Sequence, residues 1–153
     1  MNYHQQELEF PAPSGRQDKV IKVIAQVAEG TGLAYHVPPG CDETVGFVIT
    51  HLASMKAICY PMDTKYEIKL LLESVAGITD WYQSEHEIGK LSIGTEVRNL
   101  QADIAEQVNK KLESAMRTCM PECLVEEVMK EIGDEDSYST IRKALVYALN
   151  IVE

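Results

Sequence analysis

The stretch from Thr95 to Met116 constrains the fold most, because it carries an apolar residue at every third or fourth position. These apolar residues are Val97, Leu100, Ile104, Val108, Leu112 and Met116. The 3.6-residue period of an α-helix puts all of them on one face over about six turns. The stretch therefore predicts a long amphipathic helix that buries this face against the rest of the chain.

Other segments carry similar helix signals. Thr64 and Glu67 have the spacing of a capping box, in which each side chain satisfies a backbone donor of the first turn, and an apolar face follows. Residues 121–133 begin with a proline and end with a glycine, which is typical of a helix and its two ends. We expect a short helix near residues 80–88 and a last amphipathic helix from Tyr138 onward.

Two earlier segments are harder to interpret. Ser14 and Gln17 could form a capping box for a helix that ends before Gly30. Within residues 44–60, the stretch from Thr44 to Thr50 is rich in β-branched side chains and could be a strand, yet the apolar positions from Val45 to Cys59 repeat at helical spacing. Because periodic runs longer than about ten residues favour a helix, we interpret this segment as helical. The alternative is a short β-hairpin within residues 33–60.

These elements together predict an all-α fold of about six amphipathic helices in one compact, bundle-like domain. A length of 153 residues suits a single domain. We place that helical domain at residues 16–153, after an irregular N-terminal arm at residues 1–15 that contains two prolines and a glycine. The alternative fold class is α+β, with the hairpin within residues 33–60.

The chain is acidic, with a formal net charge of −10. This sign argues against binding to nucleic acid, which requires clustered Lys and Arg. Acidic residues are dense after Glu122, and a patch of this kind suits a basic protein partner. The candidate partner-binding residues are Glu126, Glu127, Glu131, Asp134 and Asp136.

No apolar run approaches the roughly 20 residues that a membrane-spanning helix needs. The first ten residues carry two glutamates and lack the apolar core of a signal peptide. We therefore expect a cytoplasmic protein that does not act at a membrane, with reduced cysteine thiols.

Two sets of residues could bind a metal. On a helix, His51, Met55 and Cys59 would stand in a row, and their side chains are ligands that a soft metal such as copper(I) prefers. Cys119 and Cys123 are separated by three residues, a spacing found in zinc sites. Both sets have a simpler interpretation, because Met and Cys are often ordinary buried side chains.

The sequence contains no phosphate-binding loop, dinucleotide fingerprint or nucleophile elbow, so it offers no sign of an enzyme or of a cofactor. We expect a non-enzymatic interaction or regulatory protein that acts through helix faces, as a homodimer and with a basic protein partner. One alternative is a metal- or redox-responsive protein that uses Cys119 and Cys123. Another is a small thiol-dependent enzyme.

Overall fold

The computed structural model describes residues 1–12, 19–89, 91, 93–133, 138–149 and 151. Within them the chain forms a five-stranded antiparallel sheet and five α-helices. The prediction of an all-α fold is therefore wrong, and the α+β alternative gives the correct class, although the sheet is larger than the hairpin it proposed. The chain divides into two compact units, Met1–Gln101 and Ala102–Glu153.

The sheet is a meander in which each strand pairs with the next one along the chain. Its strands, in both sequence and spatial order, are β1 (Tyr3–Pro11), β2 (Val20–Ala28), β3 (Leu33–His36), β4 (Val48–His51) and β5 (Lys56–Ala57). Short connections between antiparallel neighbours explain this simple order. Only β1 and β2 are long, at nine residues each.

The described part of the predicted irregular arm contains β1, and β2 lies where we expected a helix. The two strands pair from Tyr3 opposite Ala28 to Pro11 opposite Val20. The β2 sequence is rich in Val and Ile, which suit a pleated sheet better than a helix. In the folded strand, alternate residues such as Ala25 and Val27 are buried. This two-residue period is that of a strand, and it prevails over the helical spacing of the apolar residues. The proposed capping box at residues 14–17 lies outside the described residues.

The helix predicted over residues 44–60 is also wrong, because the segment folds into β4, a turn and β5. Its backbone departs from helical geometry at Gly46, where φ is 102°, and at Met55, where φ is 57°. Asp42 caps a short 3-10 helix at Glu43–Val45 just before β4. These interruptions end the helical repeat, and the β-branched residues pair as strands.

Helix α1 (Lys65–Ala76) begins at the predicted cap, since the Thr64 side chain accepts a hydrogen bond from the Glu67 N–H. The Thr64 hydroxyl donates in turn to the Glu67 carboxylate at 2.9 Å. The buried side chains of α1, Ile68, Leu71, Leu72 and Val75, lie on the face that packs against β3 and β4. Trp81 follows α1 and is anchored to it by an Nε1–H donated to the Val75 carbonyl at 2.8 Å. This packing fixes Trp81 close to the end of β4.

The opposite face of the sheet carries a second cluster of apolar side chains. Its buried members are Leu8, Phe10, Ala25, Val27 and Ala34. Leu52 and Met55, from the turn between β4 and β5, pack against the cluster. Both faces of the central strands are therefore buried, which accounts for the continuous apolar character of β3 and β4.

The remaining helices are α2 (Glu85–Gly89), α3 (Ile93–Cys119), α4 (Glu122–Ile132) and α5 (Tyr138–Ala148). Helix α3 is the predicted long helix, and most of its apolar stripe is buried. In the second unit, the buried Arg142 of α5 donates from Nε to Asn109 Oδ1 of α3 at 2.6 Å. No helix among the described residues combines the length and the apolar character needed to cross a membrane.

Candidate functional site

Strand β5 ends the sheet and leaves part of its backbone free. The Ile58 N–H donates to the Ile49 carbonyl at 2.9 Å, so this residue faces β4. Successive residues of a strand point their backbone groups to opposite sides. The N–H and C=O of Ala57 therefore point away from β4, toward the open edge.

The first turns of α3 lie along this edge and are attached to it by Gln101. The Gln101 side chain donates to the Tyr60 carbonyl at 2.9 Å and accepts from the Tyr60 N–H at 3.3 Å. It also contacts Met62 Sδ at 3.2 Å. The amide thus takes the place of a neighbouring strand at Tyr60 and holds α3 beside the chain that follows β5.

Two adjoining cavities lie between these elements, and we call them together the β5 groove. The first has a volume of about 220 Å³ and a mixed lining, whose polar side chains include Tyr60, Arg98 and Gln101 beside the Cys59 thiol. The second has a volume of about 230 Å³, and its lining is mainly apolar, with Trp81, Ile88, Leu91, Ile93 and Val97. Ile58 and Gly94 line both cavities, so the groove runs from this mixed end, which we call its polar end, to a mainly apolar end.

Arg98 supplies a positive charge at the polar end of the groove. Its guanidinium donates to Thr95 Oγ1 at 3.4 Å, and within the described part of the chain no carboxylate forms an ion pair with it. A third cavity, of about 260 Å³ beside β2, differs in this respect. Its lining residues Glu43 and Lys65 pair with each other at 3.7 Å. Among the described residues, the β5 groove therefore has a cation without an ion-pair partner, whereas Lys65 of the third cavity has one.

Cys59 contributes an uncharged thiol to the groove wall. Its sulfur accepts a hydrogen bond from the Ile49 N–H at 3.2 Å. Burial raises the pKa of the Cys59 thiol to about 11, so the thiolate is scarce near neutral pH. Because the thiolate is both the nucleophile and the metal ligand, Cys59 behaves here as a small apolar side chain.

The predicted row of His51, Met55 and Cys59 does not exist, because the segment is not a helix. His51 ends β4 and is buried, with Nδ1 at 2.8 Å from Ser54 Oγ and Nε2 at 2.7 Å from the Trp81 carbonyl. Both ring nitrogens are thus occupied, and His51 serves to position Trp81 at the apolar end of the groove.

Cys119 and Cys123 lie on either side of the break between α3 and α4. Cys119 is the last residue of α3, Cys123 lies in the first turn of α4, and both are exposed free thiols. Among the residues that the structure describes, no group of three or more His, Cys, Asp and Glu side chains is arranged to hold a metal ion. The metal-binding role of these cysteines remains a prediction.

The acidic face of α4, defined as Glu126, Glu127 and Glu131, is exposed as the sequence predicted. On the same helix Val125 is fully buried, whereas Leu124 is 42% exposed. Asp134 and Asp136, the other candidate partner-binding residues, lie outside the described residues. Binding of a basic partner to this face remains a prediction.

Sequence reasoning missed the groove, although its α3 residues carry a weak signal. Gly94, Arg98 and Gln101 are four and three residues apart, so they share one helix face. This face borders the apolar stripe, but nothing local indicates that it meets the end of the sheet. In the comparisons with known proteins, no family model, no curated protein and no solved structure matches this chain.

Proposed function

We propose that this protein is a non-catalytic binding protein whose β5 groove holds an amphipathic ligand with an anionic head and an apolar body. The observation that carries the proposal is Arg98, an arginine without an ion-pair partner in the described residues, at the polar end of a groove whose other end is apolar. One wall of the groove is a face of α3, so the ligand would bind in part to a helix face.

The chemistry of the groove favours a carboxylate as the head. A guanidinium presents a planar set of donors that matches a carboxylate in a bidentate pair. Ala57 borders the same cavity, and its backbone N–H, which points away from β4, offers one more donor. A medium-chain carboxylate such as decanoate carries this head on a flexible apolar chain, so it is a suitable probe.

The size of the groove also fits such a ligand. Neither cavity alone reaches the roughly 300–1,000 Å³ typical of ligand pockets, but the two together do. Trp81 and the aliphatic side chains of the second cavity would cover the chain of the ligand. Burial of that chain contributes about 25 cal/mol for each Å² of apolar surface removed from water.

The side chains at the groove support binding rather than catalysis. The Cys59 thiol is protonated near neutral pH, and the ring nitrogens of His51 are both occupied by hydrogen bonds. An activated nucleophile requires an adjacent base and a lowered pKa, and Cys59 has a raised one. Binding of a ligand requires neither a lowered thiol pKa nor an adjacent base.

Trp81 makes the proposal testable, because it is the only tryptophan of the chain and it lines the apolar cavity. We expect decanoate to change its fluorescence in a saturable way, and the uncharged decanol to bind more weakly. Loss of the charged hydrogen bonds in Arg98→Gln should weaken decanoate binding about tenfold. Decanol binding should change little in this variant.

Lys130→Gln provides a matched control, since it removes an exposed cation on α4, far along the chain from the groove. It should bind decanoate like the original protein. Equal weakening in both variants would mean that the net charge, rather than Arg98, attracts the ligand. No saturable fluorescence change with decanoate would contradict the proposal.

A redox-responsive role is the second candidate, favoured by the exposure of both Cys119 and Cys123 around the break between α3 and α4. A dithiol oxidant such as diamide would take two electrons and two protons from the thiols and leave a disulfide. Mass spectrometry of the oxidised protein should then show a bond between these two cysteines. Disulfides only between different chains, or to Cys41, would remove this candidate.

A further inference from the structure

The outer edge of β1 has a defined hydrogen-bonding pattern. The Glu29 N–H donates to the Asn2 carbonyl and the Ala12 N–H to the Lys19 carbonyl, both at 3.0 Å. Even-numbered residues of this strand therefore face β2. The backbone N–H and C=O groups of the odd-numbered residues point outward, and these residues are Tyr3, Gln5, Glu7 and Glu9.

This edge is long and regular. The pairing of β1 with β2 runs over nine residues without a bulge. Within the described part of the chain, no hydrogen bond joins the outward backbone groups of β1 to another segment. Natural edge strands are usually protected by charges, bulges or prolines. In β1 this protection is weak. Pro11 blocks pairing only at the end of the strand, and the charges of Glu7 and Glu9 are partly neutralised by Lys22, whose Nζ lies 3.2 and 3.9 Å from their carboxylates.

We propose that a second copy of this chain pairs with β1 in an antiparallel manner, about a twofold axis at Gln6. An antiparallel ladder requires outward-pointing residues to lie opposite one another. With the axis at Gln6, Gln5 lies opposite Glu7 of the second copy, and Tyr3 lies opposite Glu9. The two sheets then form one continuous sheet with an isologous interface.

Other positions of the axis are less favourable. An axis at Glu7 places this glutamate directly opposite itself, and like charges across strands are destabilising. An axis at Gln5 leaves Glu9 unpaired and shortens the ladder. The axis at Gln6 pairs every outward residue that has both a donor and an acceptor. It also places the exposed Gln5 amide against the exposed Glu7 carboxylate of the second copy, where it can donate a hydrogen bond.

Cysteine cross-linking tests the register directly. At the axis, the two Gln6 residues form a non-hydrogen-bonded pair, whose Cα atoms lie about 4.5 Å apart, within the range of a disulfide. The two His4 residues would lie about 13 Å apart along the strands. In a chain with Cys41, Cys119 and Cys123 changed to Ser, oxidation should therefore link Gln6→Cys into dimers and leave His4→Cys unlinked.

Sedimentation measures the same interface without a cross-link. We expect the original chain to be a dimer, and Gln5→Glu to weaken the dimer about tenfold, because each dimer gains two like-charged pairs with Glu7. Gln5→Lys should preserve or strengthen it. Circular dichroism would show that each variant is folded.

Three results would overturn the proposal. The first is a folded chain that stays monomeric at all soluble concentrations. The second is a dimer in which His4→Cys cross-links as readily as Gln6→Cys. The third is a dimer whose stability is the same in Gln5→Glu and Gln5→Lys.

Discussion

Gly46 is the glycine at which a side chain should be most damaging. Its φ of 102° and ψ of −157° fall in a region that other residues essentially avoid. A Cβ at this position would also collide with the carbonyl oxygen of Met62. That oxygen accepts from the Phe47 N–H at 2.8 Å, and the Met62 N–H donates back to the Phe47 carbonyl at 2.8 Å.

The expected cost of Gly46→Ala has three parts. Backbone strain costs about 1–3 kcal/mol. Displacement of the two Phe47–Met62 hydrogen bonds costs about 0.5–1.5 kcal/mol each. Alanine also lowers the conformational entropy of the unfolded chain, which offsets the loss of stability by about 0.4–1 kcal/mol. The free energy of unfolding should therefore fall by about 1–6 kcal/mol, a large part of the 5–15 kcal/mol typical of a domain.

Gly30→Ala is the matched control, because its φ is also positive, at 75°, but no atom lies within 4 Å of the added Cβ. Its strain of about 1–2 kcal/mol is partly offset in the unfolded chain, so it should cost about 1 kcal/mol or less. Urea unfolding followed by the fluorescence of Trp81 reports on the first unit, which contains both glycines. Equal losses in the two variants would refute the steric reasoning at Gly46.

Four further predictions concern other parts of the molecule. Ile104→Ala should lower the free energy of unfolding by about 2–5 kcal/mol in a urea titration, because Ile104 is only 5% exposed. Burial lowers the pKa of His36, so the unfolded chain takes up the proton first as the pH falls. The urea midpoint should therefore decrease below about pH 6.5, and less steeply in His36→Gln. Changing all three glutamates of the acidic face to Gln should leave the circular dichroism unchanged and abolish salt-sensitive binding of a basic partner recovered from cell extract. Mobility-shift assays at physiological salt should show no complex with duplex DNA, because the net charge is −10.

The helices were the part of the fold that the sequence could predict. Thr64 caps α1 through a local hydrogen bond, and the stripe along α3 repeats over many turns. Signals of this kind are local, so they survive in the folded protein. The glutamates of the acidic face of α4 are exposed, and their binding of a partner stays a prediction.

The sheet and the groove were not predictable in the same way. In β2, valines and isoleucines satisfy a helical and an alternating pattern at once, and pairing with β1 decides between them. The groove depends on the contact between Tyr60 and Gln101, which are 41 residues apart in the sequence. Only this contact places Arg98 at a groove. The sequence around Arg98 is that of an ordinary solvent-exposed helix face, so it gives no sign of a binding site.

The position of bound decanoate tests the central claim most directly, and a solved structure of the complex would give it. We predict that the carboxylate lies within hydrogen-bond distance of the Arg98 guanidinium and that the alkyl chain runs between Ile58 and Gly94 toward Trp81. A carboxylate held away from Arg98, or a ligand bound outside the β5 groove, would contradict the proposed function.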